Sequence, residues 1–273
     1  MADRTPILLF AGAIVLVHAG IASFLLPGLT PMITYAIVAP PSVALIAVSV
    51  VRVRRTTREK DTGFGPLEVG TIFLSACILW QPAAYGIGLL TGLRFPGIDL
   101  AIPIIATVVI LLRRRGQARP SWLSLGRFDL VSLFFAIATV ALSALGLWLW
   151  SRGGAASIQW QRAQLELIPR SLWIPGAIGF ALTNAIAEEV IYRGVIREGL
   201  RSFVSAAAEI PITAALFGIA HLNGFPSGIV GVALVFVWGI ALGIIRNRTD
   251  GILAPVVVHI AADLAIFTIL ATL

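Results

Sequence analysis

Residues 226–245 read PSGIVGVALVFVWGIALGII, twenty positions without a charged side chain. A spanning helix needs about 20 consecutive apolar residues to cross about 30 Å of hydrocarbon, so this stretch predicts a membrane span. Eight other apolar runs complete a set of nine predicted spans, near residues 6–27, 31–51, 67–91, 98–112, 129–150, 172–200, 204–222, 226–245 and 252–271. The second contains Pro40-Pro41 and the fourth is short, which leaves eight spans as an alternative. We therefore expect an all-α fold, a polytopic transmembrane helix bundle of eight or nine spans.

The composition supports a lipid-embedded protein. Hydrophobic residues make up 58% of the 273 positions and charged residues 12%, and the mean hydropathy is +0.96. Too few polar residues remain to cover a water-soluble surface. The net charge of +7 could suggest a nucleic-acid surface, but the cations cluster in the joints between spans, as membrane topology requires. We therefore expect the lipid bilayer as a partner and no nucleic acid.

The distribution of cations also predicts an orientation. With the N-terminus in the cytoplasm, sixteen of the twenty Lys and Arg residues lie in cytoplasmic joints, and four lie outside: Arg94, Arg152, Arg162 and Arg170. The positive-inside rule favours this arrangement, because cytoplasmic joints carry the excess of Lys and Arg. We expect a multi-pass protein of the cell membrane with a cytoplasmic N-terminus and a short interfacial helix between Ser151 and Arg170.

A few ionisable residues interrupt the apolar runs near the end of the chain. They are Glu188 and Glu189 in the sixth span, His221 in the seventh, and His259 and Asp263 in the ninth. A charged side chain at the bilayer centre costs about 2.5–3.5 kcal/mol on insertion scales, so such residues usually face a bundle interior or a wet cavity. Their confinement to three nearby spans predicts one shared site.

Helical spacing suggests how these residues divide their roles. Glu189 and Arg193 are four residues apart and can pair, and His259 and Asp263 are four apart and share a face. Glu188 points about 100° away from Glu189, which frees its carboxylate to face the cavity. A free carboxylate beside an imidazole is a plausible water-activating pair.

Other interpretations of single residues stay open at this point. Asn184 and Tyr192, each one turn from Glu188, could hydrogen-bond its carboxylate or only pack between helices. The two glutamates could instead lie at a helix end in the cytoplasm. His18 is alone in the first span, and we interpret it as structural.

Three motifs carry a resemblance to a known family. They are Glu188–Arg193 (EEVIYR), Phe217–His221 (FGIAH) and His259–Asp263 (HIAAD). They are similar to the Glu-Glu-x-x-x-Arg, Phe-x-x-x-His and His-x-x-x-Asn/Asp motifs of the CAAX protease and bacteriocin-processing (CPBP, or Abi) family of intramembrane metalloproteases, which includes type II CAAX prenyl endopeptidases. The resemblance covers about residues 174–273. It divides the chain into an N-terminal transmembrane helical scaffold, 1–170, and a catalytic transmembrane core, 171–273.

The resemblance implies an intramembrane endopeptidase. In this interpretation Glu188 and His221 activate water, Glu189 and Arg193 hold the helix geometry, and His259 with the residue at 263 stabilises the oxyanion. The candidate catalytic residues are thus Glu188, Glu189, Arg193, His221, His259 and Asp263. The implied substrate is a membrane-associated or lipid-linked protein or peptide whose identity the motifs do not specify.

The motifs allow more than one interpretation of the cofactor and of the role of Asp263. Glu188, His221 and His259 would form a zinc-binding set if a metal is bound, but the same residues also suit a metal-free glutamate mechanism. Asp263 can donate a hydrogen bond only when protonated, so it could instead orient His259 or ligate a metal. Cys77, the single cysteine, lies in an apolar run and gives no Cys-based metal site.

Two other functional classes compete with a protease. A non-catalytic membrane scaffold or bacteriocin self-immunity protein could retain these residues without using them. A proton-coupled transporter could also use intramembrane acids and histidines. Against a transporter, the intramembrane acids are confined to the last third of the chain, and no inverted repeat is visible.

Overall fold

A computed structural model describes residues 4–23, 31–60, 65–91, 104–105, 121–153, 156–222 and 224–272. Within these ranges the regular structure is helical, and no strand occurs. The predicted all-α, polytopic helix bundle is therefore confirmed.

Six helical segments are long and apolar enough to cross a membrane. They are Ile33–Arg54, Pro66–Ala84, Leu130–Ser151, Arg170–Leu200, Gly228–Thr249 and Leu253–Thr272. Two shorter apolar segments, Thr5–Ala19 and Ala206–Ala220, correspond to the predicted first and seventh spans. The predicted run 98–112 lies outside the described residues, apart from 104–105.

The chain divides into two compact units, Met1–Arg119 with Ile191–Glu209, and Pro120–Val190 with Ile210–Leu273. The first contains α1 (Thr5–Ser23), α2 (Pro31–Lys60) and α3 (Pro66–Thr91), which pack against one another. The second contains α4 (Leu130–Ser151), α5 (Ala156–Glu166) and α6 (Trp173–Glu189). The predicted boundary at residues 170/171 separates a helical scaffold from a catalytic core by function, whereas these two units are defined by packing. That functional boundary stays a prediction.

The remaining helices complete the two units. A π-helix, Val190–Ile196, follows α6 directly and leads to α7 (Arg197–Leu200), which packs on α3 in the first unit. Next come α8 (Ala206–Ala220), α9 (Gly228–Thr249) and α10 (Leu253–Thr272). In the second unit α10 packs against α4, α5, α6 and α9. Residues of α10 are thereby held beside those of α6, the helix that carries both glutamates.

A pair of loops fixes α10 relative to α4. The Arg127 backbone N–H donates to the Thr249 carbonyl oxygen at 2.8 Å, and the Ile252 N–H donates to the Ser124 carbonyl oxygen at 2.7 Å. Gly126 has a φ of +78°, and a Cβ there would collide with the backbone at Thr249. The loop before α4 therefore binds the α9–α10 turn through main-chain hydrogen bonds, which sets where α10 starts.

In the first unit, a single aromatic ring joins three helices. Phe10 of α1 is completely buried, and a Cβ at either Gly70 of α3 or Gly199 of α7 would meet its ring. The two glycines therefore make room for the ring, because neither position has a side chain. This contact ties the N-terminal helix to the segment that follows the glutamate motif.

Candidate active site

The two adjacent glutamates at the end of α6 have different environments. Glu189 is wholly buried, whereas the side chain of Glu188 is 20% exposed. Consecutive residues of an α-helix point about 100° apart, which explains why one side chain enters the packed interior and the other stays partly exposed. Glu188 is therefore the carboxylate of this pair that a water molecule can reach more readily.

His259 lies at the centre of the cluster. Its Nδ1 is 2.8 Å from Glu189 Oε1, which is a hydrogen bond between buried side chains. Its Nε2 is 3.5 Å from Glu188 Oε2 and 3.7 Å from Asp263 Oδ1. Because an ionised carboxylate only accepts hydrogen bonds, Nδ1 carries the hydrogen and donates the hydrogen bond to Glu189. One imidazole of α10 is thus surrounded by three carboxyl groups.

Asp263 is held by a residue of α6. Asn184 Nδ2 donates to Asp263 Oδ2 at 3.1 Å, and the other oxygen of Asp263 faces His259. Asp263 itself is buried. The hydrogen bond joins α6 to α10 one helical turn before Glu188.

His221 lies in the turn directly after α8. Its Nδ1 is 3.0 Å from the Phe217 carbonyl oxygen, and since a carbonyl only accepts, Nδ1 is the donor. In the neutral ring Nε2 is then left as an acceptor. The Phe217 ring lies edge-on to both imidazoles, with centroids 4.6 Å from His221 and 6.1 Å from His259. The second motif therefore lies next to the third.

Five of the six predicted site residues lie in the second unit, and Arg193 lies in the first. Arg193 is buried, and it belongs to the π-helix rather than to a continuous α-helix. Its predicted pairing with Glu189 rested on α-helical spacing and stays a prediction. Tyr192, the preceding residue, packs edge-on against His18 with ring centroids 6.3 Å apart. His18 also hydrogen-bonds through Nδ1 to the Ile14 carbonyl oxygen at 2.8 Å, in agreement with a structural role.

Two residues of this cluster carried little or no signal in the sequence. The spacing of Asn184 suggests Glu188 as a hydrogen-bond partner, whereas in the structure Asn184 donates to Asp263. Trp238 of α9 lies in an uninterrupted apolar run, and its ring is edge-on to His259 with centroids 6.2 Å apart. A tryptophan inside an apolar span resembles any other packing residue, so only the spacing of Asn184 to Glu188 could have indicated a site.

The suitability of this cluster for a metal can be tested on its donor atoms. Both imidazoles have Nδ1 engaged, His221 by a carbonyl and His259 by a carboxylate, which is common among histidines that bind metal through Nε2. However, among the described residues no three His, Cys, Asp or Glu side chains are placed to hold a metal ion.

Comparison with known proteins agrees with the motifs. Residues 170–265 match the family model described as Rce1-like, type II CAAX prenyl endopeptidase. No curated protein and no solved structure matched the chain. The matched segment contains all three motifs, the whole of α6, and the part of α10 that carries His259 and Asp263. Over residues 170–265, about a third of its length, the protein therefore resembles the Rce1-like type II CAAX prenyl endopeptidases, a family of proteases.

Proposed function

We propose that the protein is an intramembrane endopeptidase that hydrolyses a peptide bond in a membrane-associated or lipid-linked protein or peptide. The observation that carries the proposal is the position of Glu188. Its side chain is partly exposed, its Oε2 lies 3.5 Å from the His259 imidazole, and it belongs to a long apolar helical segment. The match of residues 170–265 to a family of proteases supports the same reaction class.

The proposed reaction starts at Glu188. Its carboxylate takes one proton from a water molecule while the water oxygen bonds to the carbonyl carbon of the substrate, which gives a tetrahedral oxyanion. Collapse of this intermediate restores the carbonyl and breaks the C–N bond. Glu188 then returns the proton to the leaving nitrogen. One water is consumed, and the products are a carboxylic acid and an amine.

The neighbouring residues have supporting roles in this scheme. Glu189 accepts the Nδ1 hydrogen of His259 and so fixes the orientation of the ring, which keeps Nε2 beside Glu188. Nε2 of His221 is an acceptor in the neutral ring and can hold the attacking water by one of its hydrogens. The apolar helices around the cluster limit the access of bulk water, which strengthens every charge interaction inside it.

The proposed mechanism uses no metal ion. If a metal ion bound here, Glu188, His221 and His259 would hold it, and it would supply Lewis-acid activation of water. Because the described residues are not placed to hold an ion, each step above uses only the protein's own groups. We accordingly expect cleavage to persist after chelation.

The direct test is peptide cleavage by the full chain in lipid nanodiscs. The probes are quenched fluorescent peptide libraries, one unmodified and one with a prenylated cysteine followed by three C-terminal residues. Wild type is compared with Glu188→Gln and His221→Ala, each with chelator and then with added zinc. We expect cleavage by the wild type, a loss of at least about 100-fold in Glu188→Gln, and little change on chelation.

The matched control is Glu166→Gln, which makes the same chemical change at an exposed carboxylate of α5. It should cleave as the wild type does. Cleavage that chelator abolishes and zinc restores would establish a metal mechanism on the same residues. If the folded wild type cleaves nothing, or if Glu188→Gln cleaves at the wild-type rate, the endopeptidase proposal is wrong and a non-catalytic scaffold is favoured.

A further inference from the structure

The described cluster is rich in acceptors and poor in neutral donors. Glu188, Glu189 and Asp263 only accept hydrogen bonds when ionised, and His259 faces a carboxyl group with each ring nitrogen. Peptide hydrolysis nevertheless passes through an oxyanion, which is stabilised by hydrogen-bond donors placed in advance. The site therefore needs an N–H or O–H group besides His259.

Asn184 has such a group. Its Nδ2 faces Asp263 Oδ2 at 3.1 Å, and the carboxylate requires that the amide nitrogen, not the amide oxygen, point toward it. An amide nitrogen carries two hydrogens, and this bond uses one of them. The bond restrains the amide, and the second N–H stays available to another acceptor.

Helical spacing places Asn184 next to Glu188. Asn184 and Glu188 are four residues apart on α6 and so lie on one face, one turn from each other. Asn184 is also only half-buried, which leaves room for a substrate group beside it. The base and the amide therefore flank the same stretch of the α6 surface.

We propose that Asn184 donates its second N–H to the carbonyl oxygen of the scissile peptide bond as that oxygen becomes an oxyanion, and that Asp263 is a positioning residue for the amide. This inference rests on the proposed endopeptidase function. It assigns to α6 both the group that activates water and the group that receives the developing charge. It also gives Asp263 a role that its carboxylate can fill without being protonated.

A structural role for the same bond makes a different prediction. If the Asn184–Asp263 bond only holds α6 against α10, restoring the bond in any form restores activity. The reciprocal swap, Asn184→Asp with Asp263→Asn, achieves this, because it returns one amide and one carboxylate to the pair but moves the amide to α10. Stability and catalysis can then be read separately.

The experiment measures kcat, KM and thermal unfolding of the full chain in nanodiscs for wild type, Asn184→Leu, Asn184→Asp and the swap. The control is Thr183→Val, since the Thr183 hydroxyl bonds to carbonyl oxygens of its own helix, at Gly179 and Phe180. We expect kcat to fall about 100-fold or more in both single variants, with a smaller change in KM, as for removal of one oxyanion donor. The swap should regain the wild-type unfolding temperature while its kcat stays low.

The possible failures are distinguishable. If wild type cleaves and Glu188→Gln does not, but Asn184→Leu cleaves at the wild-type rate, the role of Asn184 is wrong and the endopeptidase proposal stands. If the swap recovers both kcat and unfolding temperature, an amide is not needed at position 184, which also overturns the inference. If the wild type itself is inactive, both proposals fail together.

Discussion

Glu189 and His259, seventy residues apart in the sequence, form a buried hydrogen bond of 2.8 Å between Oε1 and Nδ1. The bond links the end of α6 to the middle of α10, and it connects the first motif of the predicted site to the third. Because Nδ1 is the donor, Nε2 is the atom turned toward Glu188 and Asp263. The orientation of the imidazole therefore depends on a carboxylate that is itself out of reach of solvent.

Replacing Glu189 by Gln should reduce catalysis more than stability. The amide has the same shape, but it is neutral and can present an N–H to Nδ1, which disturbs the tautomer of His259. A comparable change in a buried carboxylate–histidine pair can lower kcat by about 10⁴-fold. We expect at least a 10-fold fall in kcat, measured by peptide cleavage in nanodiscs, with the unfolding temperature close to that of the wild type.

Glu189→Ala should also lose stability, by about 1–3 kcal/mol, because the buried Nδ1–H of His259 is left unsatisfied. The control is again Glu166→Gln, whose carboxylate is exposed and faces Arg162 at 3.5 Å. A Glu189→Gln variant with wild-type kcat would show that the orientation of His259 is not important for the reaction.

The fold class could be predicted from the sequence because that inference needs only the number and length of the apolar runs. Apolar runs of spanning length predict helices in lipid wherever they fall, and the described part of the chain contains such helices. The difference between Glu188 and Glu189 also follows from local geometry, since neighbouring helix positions point in different directions. Both predictions depend on residues that are adjacent in the chain.

The partners of these residues could not be obtained in the same way. Spacing along the chain predicts a pairing of Glu189 with Arg193, but it does not indicate the hydrogen bond that Glu189 forms with His259, seventy residues away. Asn184 similarly bonds a residue 79 positions away. Contacts between α6 and α10 depend on how the helices rotate and pack, and spacing within one helix contains no information about that.

Gly199 should not tolerate a side chain. A Cβ at this position would overlap the ring of Phe10, which is buried against Gly70 on another helix and cannot move away without cost. Overpacking of this kind typically costs about 1–3 kcal/mol. We expect Gly199→Ala to lower the unfolding temperature of the protein in nanodiscs, as followed by tryptophan fluorescence.

The matched control is Gly179→Ala, because a Cβ on that helical glycine meets nothing within 4 Å. It should be neutral or slightly stabilising, since alanine has the better helix propensity. Combining Gly199→Ala with Phe10→Leu should recover part of the loss, because the smaller side chain leaves room for the new methyl group. Strictly additive effects of these two changes would contradict the contact.

The ion pair between Arg197 and Glu209 should be sensitive to the loss of either partner. Their Nε and Oε1 atoms are 3.4 Å apart, and the two side chains are 3% and 1% exposed. Removing one member of a buried pair leaves a charge without compensation and typically costs about 3–5 kcal/mol. We expect Glu209→Ala to be strongly destabilising in thermal unfolding, with a much smaller effect for Arg197→Met combined with Glu209→Leu.

Arg162→Ala serves as the control for that pair, because Arg162 and Glu166 are both exposed and an exposed pair contributes about 0–1 kcal/mol. A double variant that is as unstable as Glu209→Ala alone would show that Arg197 and Glu209 do not compensate each other.

The helix cap at Asp129 should give the protein an acid-sensitive component of stability. Asp129 precedes α4, its Oδ1 accepts from the Ser132 N–H at 2.6 Å, and its Oδ2 lies 3.1 Å from Arg248 Nη2. Hydrogen bonds from Ser132, and then the charge of Arg248, hold the pKa of Asp129 below its ordinary value of 3.8. A carboxyl whose pKa is lower in the folded state stabilises the fold above its unfolded pKa, and this contribution is lost as the pH falls through the folded pKa.

Asp129→Asn should therefore unfold at a lower temperature than wild type at pH 7, and the difference should shrink as the pH is lowered below 3.8. Arg248→Gln, which keeps the cap but removes the ion pair, should reduce the pH-dependent part without abolishing it, and a difference that is constant with pH would rule out ionisation of Asp129 as its source.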